Sequence, residues 1–441
     1  MAAFAGPLEA TGRRTPRAAL VLLVLFGVAL NHTSLLYGFN LSVADAVAAI
    51  ILAIALMTGR FFFPLSATYV FLMLSVLVLI VGGFITPVLF PIDLSASQML
   101  SDYLKLATSF CYFLLGINIA RTGYAPILLR VFALTAAGIG AAGIVLSSLP
   151  QAFQPELLFY GEFRFRGFIN DPNYFAVLQI AAMALLWDDE KVRASVRVPA
   201  LVILSISVLL SASKTGAIVL MIYLIWRLVR TMVSGATAPS SYVRFLWILL
   251  MLMAAGVLAV MASDPERRLE LATTFEATPA LNRLAPLLID FESGIEGGGS
   301  TRDVAWGSAV TIIEAAPLIG VGVGTYLDVS QALTGHEELA HNTFLQIAAE
   351  WGLLVAGVFV ATVILLMVRR PSGVDTMHLW LKNRDAVLVM LMGSMGVSLN
   401  NARQFWLILG ILVATHLFAS LNYGAKPKTR SLQDEPTHNV T

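Results

Sequence analysis

The stretch from His341 to Leu354, HNTFLQIAAEWGLL, joins groups capable of proton chemistry to a run that is otherwise apolar. His341 stands where a helix is expected to begin, and the helix dipole disfavours a charged imidazolium there. A neutral histidine in that position can accept a proton. Glu350 lies nine residues further on, roughly 13 Å along a helix. A carboxylate in such a run lines a polar cavity or meets a partner, because it is costly otherwise.

Both residues also have plainer explanations. His341 and Asn342 together could do no more than cap the helix, since short polar side chains satisfy its first amides. Glu350 is slightly better explained as half of a structural ion pair than as a functional group. Its most obvious partner is Lys214, which the segment SASKTG places in a very short turn between two apolar runs.

Two arginines alternate with aromatic residues in GEFRFRGFINDPNYFA, just before an apolar run that Pro172 opens. Arg164 is as well explained by an interaction with lipid phosphates as by a site. Arg166 precedes Gly167 and a turn that begins at Asn170, where backbone amides and a guanidinium can hold an anion together. Arg166 is therefore the candidate anion ligand of this pair.

A long polar segment carries a second candidate, in FESGIEGGGSTRDVAWGSAVTIIEAAP. Ser300 and Asp303 have the spacing of a capping-box variant, which predicts a helix start after the glycines. Arg302 and Trp306 then lie four residues apart on one helix face. The glycines of the following PLIGVGVGTY favour a flexible loop that re-enters the membrane surface over a phosphate cradle, because no strand precedes them.

The composition of the chain indicates which secondary structure carries these residues. The chain of 441 residues is 58% hydrophobic and 12% charged, and its apolar runs reach the length that spans a bilayer. We therefore predict an all-α polytopic membrane protein with no nucleic-acid partner. The single cysteine excludes a disulfide framework. The twelve predicted spans are 18–36, 43–58, 66–84, 103–120, 127–148, 173–188, 198–212, 215–232, 243–262, 341–368, 385–400 and 402–420.

Charge gives the orientation. With an uncleaved first helix and a cytoplasmic amino terminus, 19 of the 28 Lys and Arg residues fall on the cytoplasmic side and nine outside. The predicted organisation is then spans one to nine over 1–262, a large periplasmic loop domain over 263–340, spans ten to twelve over 341–420 and a cytoplasmic tail over 421–441.

Four blocks in this order resemble the O-antigen ligase and O-antigen polymerase superfamily of bacterial envelope glycosyltransferases. They are RFRGFINDPNYFA, SASKTG, TRDVAWGSAVTIIEAAPLIGVGVGTY and HNTFLQIAAEWGLL, and together they cover about 160–360. Lys214 replaces the arginine commoner in this family, which keeps the charge but loses the planar fork.

The resemblance implies a GT-C-like protein of the bacterial inner membrane with its active site on the periplasmic side. Such a protein moves a glycan from an undecaprenyl pyrophosphate carrier to a hydroxyl of lipid A core, with no metal and no cofactor. His341 is then the catalytic base, and Glu350 is the next candidate for that role. Lys214 and Asn342 also contact substrate, and Trp306 stacks on a sugar. The arginines implied as diphosphate ligands are Arg166, Arg283 and Arg302.

Two other functions stay open at this stage. A polysaccharide polymerase of the same superfamily uses the same carrier and differs in its acceptor, which is a second carrier-linked glycan. A non-enzymatic transporter also fits twelve helices, although the sequence has no inverted or parallel repeat. Release of the pyrophosphate carrier distinguishes a transferase from a transporter.

Overall fold

A computed structural model describes residues 17–33, 41–93, 95–150, 153–161, 163–233, 256, 264–277, 285–289 and 302–422. These residues are mostly helical, as the sequence predicts. The helices up to residue 233 are α1 Arg17–Ala29, α2 Val43–Met57, α3 Leu65–Ile80, α4 Thr86–Leu89, α5 Ala96–Arg121, α6 Ala125–Ser147, α7 Pro172–Trp187, α8 Ala194–Leu210 and α9 Lys214–Val233.

The remaining described helices are α10 Pro265–Glu276, α11 Ala285–Ile289, α12 Arg302–Ala315, α13 Tyr326–Thr334, α14 Thr343–Trp351, α15 Leu353–Val368, α16 Val374–Gly393 and α17 Arg403–Asn422. A short antiparallel hairpin precedes α7, with Phe159–Tyr160 as β1 and Arg164–Phe165 as β2. A π-helical turn, Val81–Ile85, joins α3 to α4.

Among the described residues, three helical segments are long and apolar enough to cross a membrane. They are Leu65–Leu89, Ala96–Arg121 and Ala125–Ser147, and several shorter apolar helices accompany them. The predicted breaks at SASKTG and at LNNARQF are confirmed, because α8 ends before α9 and α16 ends before α17. The total of twelve spans stays a prediction, and the ninth, 243–262, lies outside the described residues except for Gly256.

The predicted tenth span, 341–368, is not one helix. It is α14 and α15, separated at Gly352, whose φ of 81° and ψ of 157° suit only glycine. A Cβ atom at Gly352 would lie 2.1 Å from the carbonyl oxygen of Leu318. The chain bends there because the loop after α12 passes against its backbone. Nine residues of α14 extend about 13 Å, which is too short to cross a bilayer.

The glycine-rich loop between α12 and α13 is packed against other backbone. Val321 N donates to Ala349 O at 2.8 Å, and Gly322 N donates to Glu350 O at 2.9 Å. A Cβ atom at Gly322 would lie 2.2 Å from Gly82 N in the π-helical turn. These amides are used within the protein, which supports the prediction against a phosphate cradle. The flexible loop expected at the membrane surface is instead buried from Gly320 to Thr325.

Helix α7 forms the centre of the bundle. It packs against α6, α8, α9 and α16, and its residues from Phe175 to Leu186 are buried. Several of them are alanines, and small side chains let apolar helices approach closely. Because α7 has 16 residues, its two ends are about 24 Å apart.

A cluster of ion pairs around Asp189 and Asp385 lies at one end of the bundle, which we term the ionic end. Asp385 accepts from Arg227 at 3.1 Å and from Arg230 at 2.7 Å. Nearby, Asp189 accepts from Arg130 Nε at 2.9 Å. Asp189 follows the carboxyl end of α7, so this cluster lies across the bundle from the hairpin that precedes α7.

We predict that the hairpin and the ionic end face opposite sides of the membrane. In a Cys111→Ser background, a membrane-impermeant maleimide should label the Leu157→Cys variant in cells whose outer membrane alone is permeable. The Glu190→Cys variant should react only after the inner membrane is opened. Both native side chains are exposed, so accessibility does not separate them. Equal labelling of the two variants in intact cells would contradict this arrangement.

Candidate active site

The SASKTG segment forms a short loop at the end of the bundle opposite the ionic end. Arg164, on β2, donates from Nε to Ser211 O at 3.1 Å and from Nη2 to Asn173 Oδ1 at 3.1 Å. The Ser213 hydroxyl accepts from Gly216 N at 3.0 Å in the first turn of α9. Lys214 is 9% exposed. The hairpin and this loop therefore form one unit that holds a buried lysine.

The residues between α16 and α17, which we call the 394–402 loop, contact the later sequence blocks. Arg302 Nη2 donates to Gly396 O at 3.2 Å. Thr343 donates from its amide to Ser394 O at 2.8 Å. Its hydroxyl donates to Val397 O at 2.9 Å. Arg302 and the start of α14 are thus fixed to the same loop.

The two loops also touch each other. A Cβ atom at Gly396 would lie 2.5 Å from Oγ1 of Thr215, the residue that follows Lys214. Thr343 Oγ1 additionally accepts from Leu399 N at 2.7 Å. The structure therefore brings Lys214, Arg302 and the start of α14 around one loop. The sequence predicts a common site for these three blocks but gives no role to the 394–402 loop.

Asn342, and not His341, caps α14. Its side-chain oxygen accepts from Phe344 N at 3.0 Å and from Leu345 N at 3.2 Å. His341 lies one residue before the cap and is exposed. The alternative in which His341 and Asn342 cap the helix is therefore confirmed for Asn342 alone, which is also a predicted substrate ligand.

Two residues at this site have unusual backbone conformations. Ala212 and His341 both have a φ of 48°, and within the described ranges they are the only non-glycine residues with positive φ. This left-handed region costs free energy for residues with a Cβ, so it persists where surrounding contacts enforce it. Ala212 lies in the loop before Lys214, and His341 is the predicted base.

The structure separates the surroundings of Arg164 and Arg166. Arg164 is 8% exposed and contacts protein groups, so anchoring to lipid is not its role. Arg166 is partly exposed, and its Nη1 donates to Asn170 O at 3.1 Å. Both guanidinium groups lie over the ring of Tyr160, at 5.8 and 5.9 Å. Arg166 thus does lie against the predicted turn, at the edge of the unit that Arg164 holds together.

Trp306 is on α12 with Arg302, as predicted. Its Nε1 is buried and has no hydrogen-bond partner among the described residues. A buried indole N–H usually has an acceptor, so this donor is available to a bound molecule. Arg283 and Ser300 lie outside the described residues, and their predicted roles stay predictions.

Glu350 faces a polar cavity of about 280 Å³ that α14 lines together with α5, α13 and the 394–402 loop. It accepts from Gln346 Nε2 at 2.9 Å. Burial raises the pKa of Glu350 to about 7; Asp102 acts in the same direction, while the Gln346 hydrogen bond and Lys105 oppose it. The predicted ion pair with Lys214 is therefore replaced by these neighbours from α5. Sequence reasoning missed them because α5 lies far away in the chain.

Comparison with known proteins matches part of the chain to one family. Residues 199–360 match the family model described as O-antigen ligase. The matched range contains Lys214, Arg302, His341 and Glu350, and the hairpin arginines precede it. The resemblance seen in the sequence motifs is thereby confirmed. No curated protein matches the chain.

The raised pKa of Glu350 predicts a pH-dependent stability. The folded protein binds this proton more tightly than the unfolded chain, whose carboxyl has its ordinary pKa of 4.5. The stability that the protonated group provides is complete below pH 4.5 and is lost as pH rises through about 7. Glu350→Gln should thus raise the Tm relative to wild type by roughly 2 °C or more at pH 8, and by less at pH 5.

Thermal unfolding in detergent at the two pH values measures this difference. Glu314→Gln changes an exposed carboxylate on α12 and serves as the matched control, with no comparable pH effect. A Glu350→Gln difference that is the same at pH 5 and pH 8 would contradict the prediction.

Proposed function

Because residues 199–360 match the family model described as O-antigen ligase, we propose that this protein transfers a glycan from undecaprenyl pyrophosphate to a sugar hydroxyl of lipid A core. The reaction takes place on the periplasmic face of the bacterial inner membrane. It uses side chains of this chain alone, with no metal and no cofactor.

One observation carries the proposal. Arg302 and Thr343 bind neighbouring carbonyls of the same loop, Gly396 O and Ser394 O, and His341 stands two residues before Thr343. A fixed guanidinium and an exposed imidazole therefore belong to one framework, against which the turn carrying Lys214 also packs. Glycan transfer from a diphosphate needs both a cation for the leaving group and a base for the acceptor hydroxyl.

The cations support departure of the diphosphate. Its negative charge grows as the bond to the sugar breaks, and fixed cations stabilise that charge most when they need no rearrangement. Arg302 is held by a backbone carbonyl and Lys214 by a buried turn. Arg166, at the hairpin edge, supplies a third contact in this proposal. An arginine fork also fits two phosphate oxygens at once.

His341 takes up the proton of the acceptor. The acceptor hydroxyl oxygen attacks the anomeric carbon of the first donor sugar, and the bond from that carbon to the diphosphate oxygen breaks. The bonding electrons leave with undecaprenyl pyrophosphate, and the hydroxyl proton passes to a ring nitrogen of His341. Because Asn342 carries the cap, His341 keeps both ring nitrogens for this work.

The function is tested with purified protein and a carrier-linked glycan. Addition of lipid A core should yield a core-linked product and free undecaprenyl pyrophosphate. Product only with a second carrier-linked unit would instead identify a polymerase. Movement of the carrier-linked glycan across a vesicle membrane without cleavage would identify a transporter and reject the proposal.

We predict that Arg302→Lys lowers the rate of transfer about tenfold or more, because lysine keeps the charge but cannot form the two parallel hydrogen bonds of the fork. Membrane levels should hold. Steady-state rates with varied donor measure the effect. Arg267→Lys, an exposed arginine on α10, is the matched control. Near-normal transfer by Arg302→Lys would assign the residue to packing alone.

We predict that His341→Asn slows the chemical step roughly a hundredfold or more, the usual scale of a general base. Asparagine tolerates left-handed backbone better than most residues, so the strained position is kept and the fold should survive. Single-turnover transfer and donor binding are measured separately, and binding should persist. The control is His336→Asn, an exposed histidine. Wild-type turnover by His341→Asn would exclude this base.

A further inference from the structure

The cavity beside Glu350 is a built polar site that the transfer chemistry described above does not use. It is enclosed by α5, α13, α14 and the 394–402 loop, and its volume is about 280 Å³. This size is near the lower end for small-molecule pockets. It suits one ring of a glycan rather than a chain. Six of its polar side chains are Asp102, Lys105, Tyr326, Gln346, Glu350 and Asn401.

Two buried polar atoms in this wall lack a partner within the described part of the chain. They are Tyr326 Oη and Gln346 Oε1, and their residues are only 3% and 5% exposed. Buried polar atoms are nearly always hydrogen-bonded, so two orphans in one cavity wall indicate an occupant that supplies the missing bonds.

The charges of the cavity select the kind of occupant. Lys105 is paired with Asp102 at 2.6 Å, and Glu350 adds a second carboxyl group. Two carboxyl groups against one ammonium disfavour a phosphate. They suit hydroxyl groups, which donate to carboxylates and amide oxygens and accept from amide and phenol donors. The apolar side chains of Trp351 and Leu327 also line the cavity.

We propose that this cavity binds one uncharged, hydroxyl-rich sugar ring of a transferase substrate. The ring is held by Glu350, Gln346 and Tyr326. This inference rests on the proposed function, because it places the ring beside α14, the helix that starts two residues after His341. Gln346 Nε2 donates a hydrogen bond to Glu350 Oε1. Gln346 Oε1 and Glu350 Oε2 then remain to accept hydrogen bonds from the sugar. Tyr326 Oη donates to or accepts from a further hydroxyl.

Tyr326→Phe tests the proposal with the least disturbance. It removes one oxygen that has no partner among the described residues, so folding should be unaffected. Tyr223 is the matched control. Its hydroxyl is also buried without a partner in the described chain, but it lies on α9 near Arg227, toward the ionic end. Tyr223→Phe should therefore leave sugar binding unchanged.

Binding is followed by tryptophan fluorescence, because Trp351 lines the cavity. One arm titrates delipidated core oligosaccharide, and the other compares carrier-linked glycan with bare undecaprenyl pyrophosphate. Tyr326→Phe should weaken binding of one sugar ligand by about tenfold, the usual scale for one lost hydrogen bond of this kind. Loss in the first arm identifies an acceptor ring, and loss in the second identifies a donor ring. Bare carrier should bind equally to all variants.

Equal sugar binding by wild type and Tyr326→Phe in both arms, or no sugar binding by wild type, would overturn the proposal. The readout needs no turnover. If the wild type transfers no glycan but Tyr326→Phe still weakens sugar binding tenfold, the proposed function fails and the sugar subsite stands.

Discussion

An apolar helical bundle must satisfy every polar backbone group that it buries, and the 394–402 loop is where the site depends on this requirement. The loop connects α16 to α17, and several of its carbonyl groups are not bonded within either helix. Ser394 O and Val397 O accept from Thr343, and Gly396 O accepts from Arg302. One stretch of irregular backbone therefore positions the helix that follows the proposed base and a proposed diphosphate ligand at once.

The arginines of the two ends of the bundle have different partners. At the ionic end, Arg227 and Arg230 of α9 share one carboxylate of α16, Asp385. These contacts join helices and fix their packing. At the site end, Arg164 and Arg302 contact backbone carbonyls. Such contacts fix the orientation of a guanidinium group relative to a loop. A fixed orientation favours binding of an anion.

The sequence singled out Lys214 and His341 because each interrupts or borders an apolar run, where polar groups are rare. Arg302 lies in a polar segment, and the resemblance to one family connected it with them. The breaks at SASKTG and LNNARQF were also predictable from turn-forming residues. The division at Gly352 was missed because an apolar run continues through it, and hydrophobicity does not reveal a positive φ. The polar neighbours of Glu350 were missed because α5 approaches α14 only in three dimensions.

The break at Gly352 has a mechanical consequence. Helix α15 is apolar throughout, and an apolar helix in a bilayer adjusts its tilt to hydrophobic mismatch as well as to its packing. A continuous helix would carry that tilt to the residues before it. Here α14 is held instead by the glycine-rich loop, through Ala349 O and Glu350 O, and by the 394–402 loop, through Thr343. The start of α14, beside the proposed base, is thus positioned by other protein segments, so a change in the tilt of α15 need not be transmitted to it.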